Sequence, residues 1–439
     1  MADGKLNVVL CWHMHQPWYR DGLDGDYRLP WVYLHGLKDY SDMAAHLEMQ
    51  PRMRCVVNFS SVLLEQVDDY AQSVTQFLET GAPMHDRLLN LLAGIEPIPV
   101  DVSQRAELIG ECQRCHAPTM IHKHPPFQRL FKMIGATDES GVGNQRFRCS
   151  LVYLSDQYFL DLLTWYHLAW LGQSLQHIPS VQRLMEQGKE FTAQDRHELL
   201  QVMRDCLAGL LPRYRQLAER GQVELSMTPY MHPIVPLLND FQNMRCALPD
   251  APAPHAADYP EGVERSRWHL QRGIEVFEHY FGRKPQGVWL SEGGVSEDAV
   301  RLLDEYGIRW TASGEGVWRN SCRLSAYDGE DEHSKRSLFM PYQLSDSEVR
   351  VFFRDDGLSD LIGFKYSDWH ARDAVGDFVQ HLENIAVFLN SHAPQRVVSI
   401  ILDGENAWEY YPNNGAYFLE ALYAALVSSD QINVTTFAQ

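Results

Sequence analysis

Two carboxylates, Glu292 and Asp403, each follow a short apolar run: Gln286–Leu290 (QGVWL) for the first and Val397–Leu402 (VVSIIL) for the second. Other polar residues hold equivalent places. His13 and His15 follow Asn7–Trp12 (NVVLCW), and Glu224 and His232 lie in and just after Val223–Met227 (VELSM). Arg354 and Asp355 close Val349–Phe353 (VRVFF), and Glu405 stands two positions beyond Asp403. Cleavage of a glycosidic bond needs two carboxyl groups flanking that bond. In a retaining reaction they stand about 5–5.5 Å apart, one attacking the sugar carbon and the other shuttling the proton. The attacking group must be ionised and held by donors such as His or Arg. The acid must keep its proton, which desolvation and a neighbouring negative charge achieve. His13 and His15 alternate at strand spacing and face one side of a sheet. That placement suits ligands for sugar hydroxyls, metal ligands or hydrogen-bonded core groups.

The elements that must position these residues are β-rich segments separated by long helical ones. With Arg54–Phe59 (RCVVNF) and Ile308–Ala312 (IRWTA), the runs make seven strand candidates. Several are continuously apolar, as expected of parallel strands covered on both faces. Glu261–Tyr280, Glu297–Tyr306 behind a Ser296 cap, and Ala371–Leu389 read as helices. Residues 101–220 are mostly helical, with Leu154–Ser174 and Ala193–Glu219 clearest, and read as an insertion between the second and third strands. Pro249–Pro260 reads as a surface loop. In an α/β barrel the C-terminal strand ends converge on one mouth, which would gather the carboxylates and histidines there.

The chain has 439 residues, 45% hydrophobic and 22% charged, a length suited to one barrel domain with insertions. Its net charge of −20 disfavours nucleic acid and anionic lipid as partners and leaves a neutral polysaccharide unaffected. No signal peptide is visible, and no stretch approaches the ~20 apolar residues of a membrane span. Eight scattered cysteines then read as reduced thiols of a cytoplasmic protein. Cys112–His116 (CQRCH) has the spacing of a haem attachment site, and with His122 and His124 could make a zinc site. Incidental thiols are the reading taken, and no metal or cofactor is expected.

Several segments resemble the signature regions of glycoside hydrolase family 57. They are His15–Pro17 (HQP), Gly221–Ile234 (GQVELSMTPYMHPI), Gly287–Ser296 (GVWLSEGGVS) and Ile401–Gly415 (ILDGENAWEYYPNNG). Phe353–Trp369 falls between the last two, and Leu29–Glu48 is similar to the subgroup of α-amylases and amylopullulanases. The resemblance implies an incomplete seven-stranded (β/α) barrel and a retaining mechanism on α-1,4 and sometimes α-1,6 glucans, hydrolytic or transglycosylating, without a metal. It implies Glu292 as nucleophile and Asp403 as acid/base. His13, His15, Glu224, His232, Trp289 and Trp408 would line the substrate cleft. Leu290 stands where the family often has proline, and the family's helical C-terminal region is expected to be absent. Two competing functions remain open: a metal-dependent enzyme such as a polysaccharide deacetylase using His13, His15, His232 and a carboxylate, and a non-catalytic glucan-binding protein.

Overall fold

In the computed structural model of the protein, which describes residues 5–135, 151–252, 254–324, 334–389 and 396–439, the apolar runs form one sheet. Its strands are β1 (Leu6–Met14), β2 (Cys55–Ser60), β3 (Val223–Thr228), β4 (Gly287–Val288) and β5 (Trp310–Ser313), then β6 (Tyr342–Gln343), β7 (Arg350–Phe353), β8 (Val397–Asp403) and β9 (Ile432–Val434). The order across the sheet is β6-β7-β5-β4-β3-β2-β1-β8, and β9 pairs with β1. All pairings are parallel except β6 with β7. A parallel bridge between Arg354 and Ser399, with the Asp355 N–H donating to the Ser399 carbonyl at 2.9 Å, brings the end of β7 back to β8. The seven expected strands thus curl into a barrel. β6 and β9 were not anticipated, because two or three residues carry no readable alternation.

Strand alternation divides the core in two. In β1, Val8, Leu10, Trp12 and Met14 point outward to the helices. Val9 and Cys11 point inward, to a separate cluster with Val56, Trp289, Trp310, Ala312, Phe352, Ile401 and Phe437. Burial on both faces explains the unbroken apolar runs. Phe437 closes the barrel floor, its ring 4.4 Å from that of Trp310 and 4.6 Å from that of Phe352. β4 is shorter than expected, since the chain leaves the sheet after Val288 to form the turn that carries Glu292. Gly287 is required there: a Cβ would lie 1.8 Å from the Trp310 ring.

The outer helices begin and end where their capping chemistry says. Ser296 accepts from the Ala299 N–H and starts Glu297–Glu305. Gly282, at φ 66°, ends Gly262–Phe281, and a Thr192–Asp195 capping box starts Ala193–Glu219. Ala371–Phe388 is the third expected helix. Between β2 and β3, the expected insertion contains Val102–Cys112, Pro125–Met133, Asp156–Ala169, Pro179–Gln187 and Ala193–Glu219. Residues 136–150 of the insertion lie outside the described ones. Residues 249–260, apart from 253, form no helix or strand, in keeping with a loop. No described helix is long and apolar enough to cross a membrane.

Candidate active site

At the C-terminal ends of β1–β3 and β8 the inward side chains become polar, and their register makes a continuous row. Asp403 pairs with His13, His13 with Asn58 and Asn58 with Ser226 across four adjacent strands. His13 Nδ1 lies 2.7 Å from Asn58 Oδ1, which also accepts from the Thr228 hydroxyl at 2.8 Å. The Asn58 amide donates to Ser226 at 2.9 Å. Because Oδ1 is an acceptor, His13 carries its proton on Nδ1, and its Nε2 accepts from the His232 Nε2–H at 3.3 Å. Burial pushes the His13 pKa down, opposed by the negative charges of Asp403 and Glu292 and by the bond to Asn58. One layer further up, His15 Nδ1 meets Ser60 Oγ at 2.9 Å, and burial pushes His15 down to about 2. His232 arrives from the loop after β3, where Met231 and His232 both hold left-handed backbone (φ 60° and 56°). It stacks on His15 with ring centres 3.8 Å apart, and burial brings it down to about 4. All three imidazoles are neutral near pH 7.

One ring nitrogen from each of these histidines lies within 4.8 Å of the other two, the one group of three potential metal ligands among the described residues. The His15 and His232 ring planes are only 14° apart and face each other. Since a ligand lone pair lies in the ring plane, His15 and His232 run side by side, whereas the Nε2 atoms of His13 and His232 lie 3.3 Å apart. Cys112 is buried in the core and burial raises its thiol pKa, and among the described residues the Cys112–His116 segment is in no group of three potential ligands.

Glu292 stands at φ 56° and ψ 19°, a conformation that non-glycine residues rarely adopt and that concentrates at functional sites. Neighbouring strands hold it there. The Trp289 N–H donates to Met227, Thr228 donates to the Trp289 carbonyl, and Ser313 donates to the Gly293 carbonyl at 2.6 Å. Glu292 is exposed there. Asp403 is exposed too, at the last position of β8, and accepts from the Asn406 amide at 2.8 Å. The mouth opens into a cleft of two joined lobes of about 1460 and 810 Å³. His13, His116, Glu292, Asp403, Asn406 and Tyr410 border both lobes.

The other expected residues divide. His15 and Glu405 border the larger lobe, Trp289 and Arg354 the smaller. Glu405 is buried and its pKa is raised well above the usual range by burial. It accepts from the Gln16 amide at 2.6 Å and from the Tyr40 hydroxyl. Arg354 pairs with Asp356 and Asp360, at 2.7 Å each, and not with Asp355. Asp355 faces away from the cleft, capping Asp356–Asp360 by accepting from the Leu358 N–H. Glu224 is a second correction. As the second residue of β3 it lies two layers below Thr228, in the barrel floor, accepting from Trp310 Nε1 at 2.6 Å and the Ala438 N–H at 3.0 Å. Trp408 is a third: at 1% exposure it packs behind the site against Trp12 and Tyr411. Asn58, Asn406 and Tyr410 were missed. Asn58 was findable, since it lies level with His13 in the next strand candidate.

A parallel barrel of this strand count, with exposed acidic residues brought together at its C-terminal mouth, is the framework of a glycoside hydrolase. The model for Glycosyl hydrolase family 57 matches residues 9–439, and the chain belongs to that family. It resembles the crystal structure of a family-57 branching enzyme from Pyrococcus horikoshii at TM-score 0.53 and 15% identity, over 99% of this chain and 69% of that one. For an α-amylase from Thermotoga maritima the values are 0.54, 11%, 99% and 74%. For a branching enzyme from Thermococcus kodakaraensis they are 0.51, 13%, 98% and 70%. At these identities the likeness is one of fold. No curated protein matches the chain in sequence.

Proposed function

We propose that the protein cleaves α-glucans with retention of configuration, Glu292 attacking the anomeric carbon and Asp403 acting as acid and then base. In the first step a bond forms from the Glu292 carboxylate to the sugar carbon, while Asp403 gives its proton to the departing glycosidic oxygen. In the second, Asp403 takes a proton from water or a sugar hydroxyl, whose oxygen displaces Glu292. Neutral His13, steadied by Asn58 and 3.3 Å from His232 Nε2, stands beside the reacting bond, where a sugar hydroxyl can exchange for His232 as the partner of Nε2. One observation carries this reading: among the described residues, Glu292 and Asp403 are the carboxylates that border both lobes. A glycosidic bond held between them would have sugar on either side.

Transfer to a sugar acceptor is the finer reading. The smaller lobe presents Phe364 and Tyr410, 81% and 58% exposed, as faces on which a second sugar ring can stack. The test is incubation with maltooligosaccharides and pullulan, following products and their initial anomer by NMR. Wild type should release or redistribute oligosaccharides with the α-anomer first. Glu292→Gln and Asp403→Asn should each be inactive against the same substrates. A β-anomer first, or equal product from Glu292→Gln, overturns the assignment. Phe364→Ala should lower the ratio of transfer to hydrolysis by about three- to tenfold.

A further inference from the structure

The chain carries a net charge of −20, yet residues 113–133 contain Arg114, Lys123, Arg129 and Lys132, three histidines and no Asp or Glu. This segment is fixed to the site. The Glu409 carboxylate accepts from the His116 N–H at 2.6 Å, and Thr119 donates to the Glu409 carbonyl at 2.7 Å. His116, at the junction of the two lobes, begins a wall that continues along the larger lobe with Arg114, His122 and Lys132.

Arg114 lies close enough to Glu111, just before the segment, to lower that carboxyl's pKa against the effect of burial. Among the described residues neither Arg114 nor Lys132 forms an ion pair, and Lys132 reaches only the Gln128 amide oxygen at 2.9 Å. The carboxylates that border the same lobe come from elsewhere: Glu292 from the turn after β4, and Asp403, Glu405 and Glu409 from the end of β8 and beyond. Glu405 is tied to Gln16 and Tyr40, and Glu409 to His116. Neutral glucan needs no such charge. An Arg guanidinium, a Lys ammonium and imidazole N–H groups on one wall are the donor set that recognises a phosphate monoester.

We propose that the larger lobe accepts an α-glucan bearing a phosphate monoester, its oxygens held by Arg114 and Lys132 with His116 and His122 beside them. This rests on the α-glucan reading above and names its substrate class.

The experiment compares kcat/KM at low ionic strength for a neutral maltooligosaccharide and for two of the same length, one phosphorylated at a glucose 6-hydroxyl and one at the reducing-end 1-position. At least one phosphorylated form should be preferred by about tenfold. The preference should shrink as salt is raised and disappear in the Arg114→Gln/Lys132→Gln double variant. Calorimetry with Glu292→Gln gives a binding readout independent of turnover, and should show the same ratio of affinities and its loss when the two substitutions are added. Which phosphorylated form is favoured locates the phosphate along the chain. Neutral substrate turned over with no preference for either form overturns this inference alone, as does a preference that survives in the double variant. Failure of all three to bind or react overturns the α-glucan reading itself.

Discussion

Replacing Asn58 by Ala tests the polar row at its middle. Asn58 is fully buried and bonds to His13, Ser226 and Thr228. Thr228 retains the Trp289 carbonyl, but the His13 Nδ1–H, on a ring only 6% exposed, would be left without an acceptor. An orphaned buried donor costs ~1–3 kcal/mol, and the space left by the amide adds to it, so ~3 kcal/mol is expected. Across 439 residues the unfolding entropy is ~0.9 kcal/mol/K, which converts this loss to a fall in Tm of about 3 °C. On the proposed mechanism, a His13 freed to turn or change tautomer would no longer meet the sugar squarely, and kcat should drop by about 10–100-fold. Asn58→Asp retains an acceptor 2.7 Å from Nδ1 but makes it anionic, which favours the imidazolium. His13 would then stay charged to higher pH, and the acid limb of the pH–activity profile should move upward. Differential scanning calorimetry and initial rates from pH 5 to 9 read both effects. Wild-type Tm and kcat in Asn58→Ala, or an unmoved acid limb in Asn58→Asp, would refute the reasoning.

Two further outcomes are expected. Phe437→Ala removes the ring wedged against Trp310 and Phe352 and should lower Tm by about 3 °C for a loss of ~3 kcal/mol. Because that ring lies at the floor and the carboxylates at the mouth, turnover at 25 °C should be unaltered; a variant that melts normally but turns over slowly would contradict this placement. His232 titrates at about 4 in the folded protein, against about 6.5 unfolded. Its contribution to stability is therefore full above pH 6.5 and lost as pH falls toward 4, by ~1.5 kcal/mol at pH 4.5 after allowing for partial exposure. Urea midpoints at pH 7 and 4.5 should differ less in His232→Asn than in wild type, and parallel behaviour of the two proteins would count against a buried neutral ring.

What was legible in the sequence is what short-range rules govern. Double-sided burial wrote the barrel strands as apolar runs. The Ser296 cap and Gly282 marked helix ends, and polar residues after strands pointed to the mouth. Depth along a strand was harder. Glu224 shares a face with Ser226 and Thr228, and only the register against β2 reveals that it sits two layers down, where Trp310 and the segment after β9 satisfy it. The family resemblance placed Trp408 in the cleft, but its indole N–H turns inward to the Gly404 carbonyl. The docking of the insertion onto Glu409 joins residues 293 positions apart, and no local pattern announces such a contact.

The stoppered floor has a consequence for how a polymer is handled. With Phe437, Trp310 and Phe352 filling the lower end, the barrel is a cup and not a pipe. A glucan chain cannot be threaded through it. The chain must be laid across the rim, cut in place, and both fragments must leave by the side they entered.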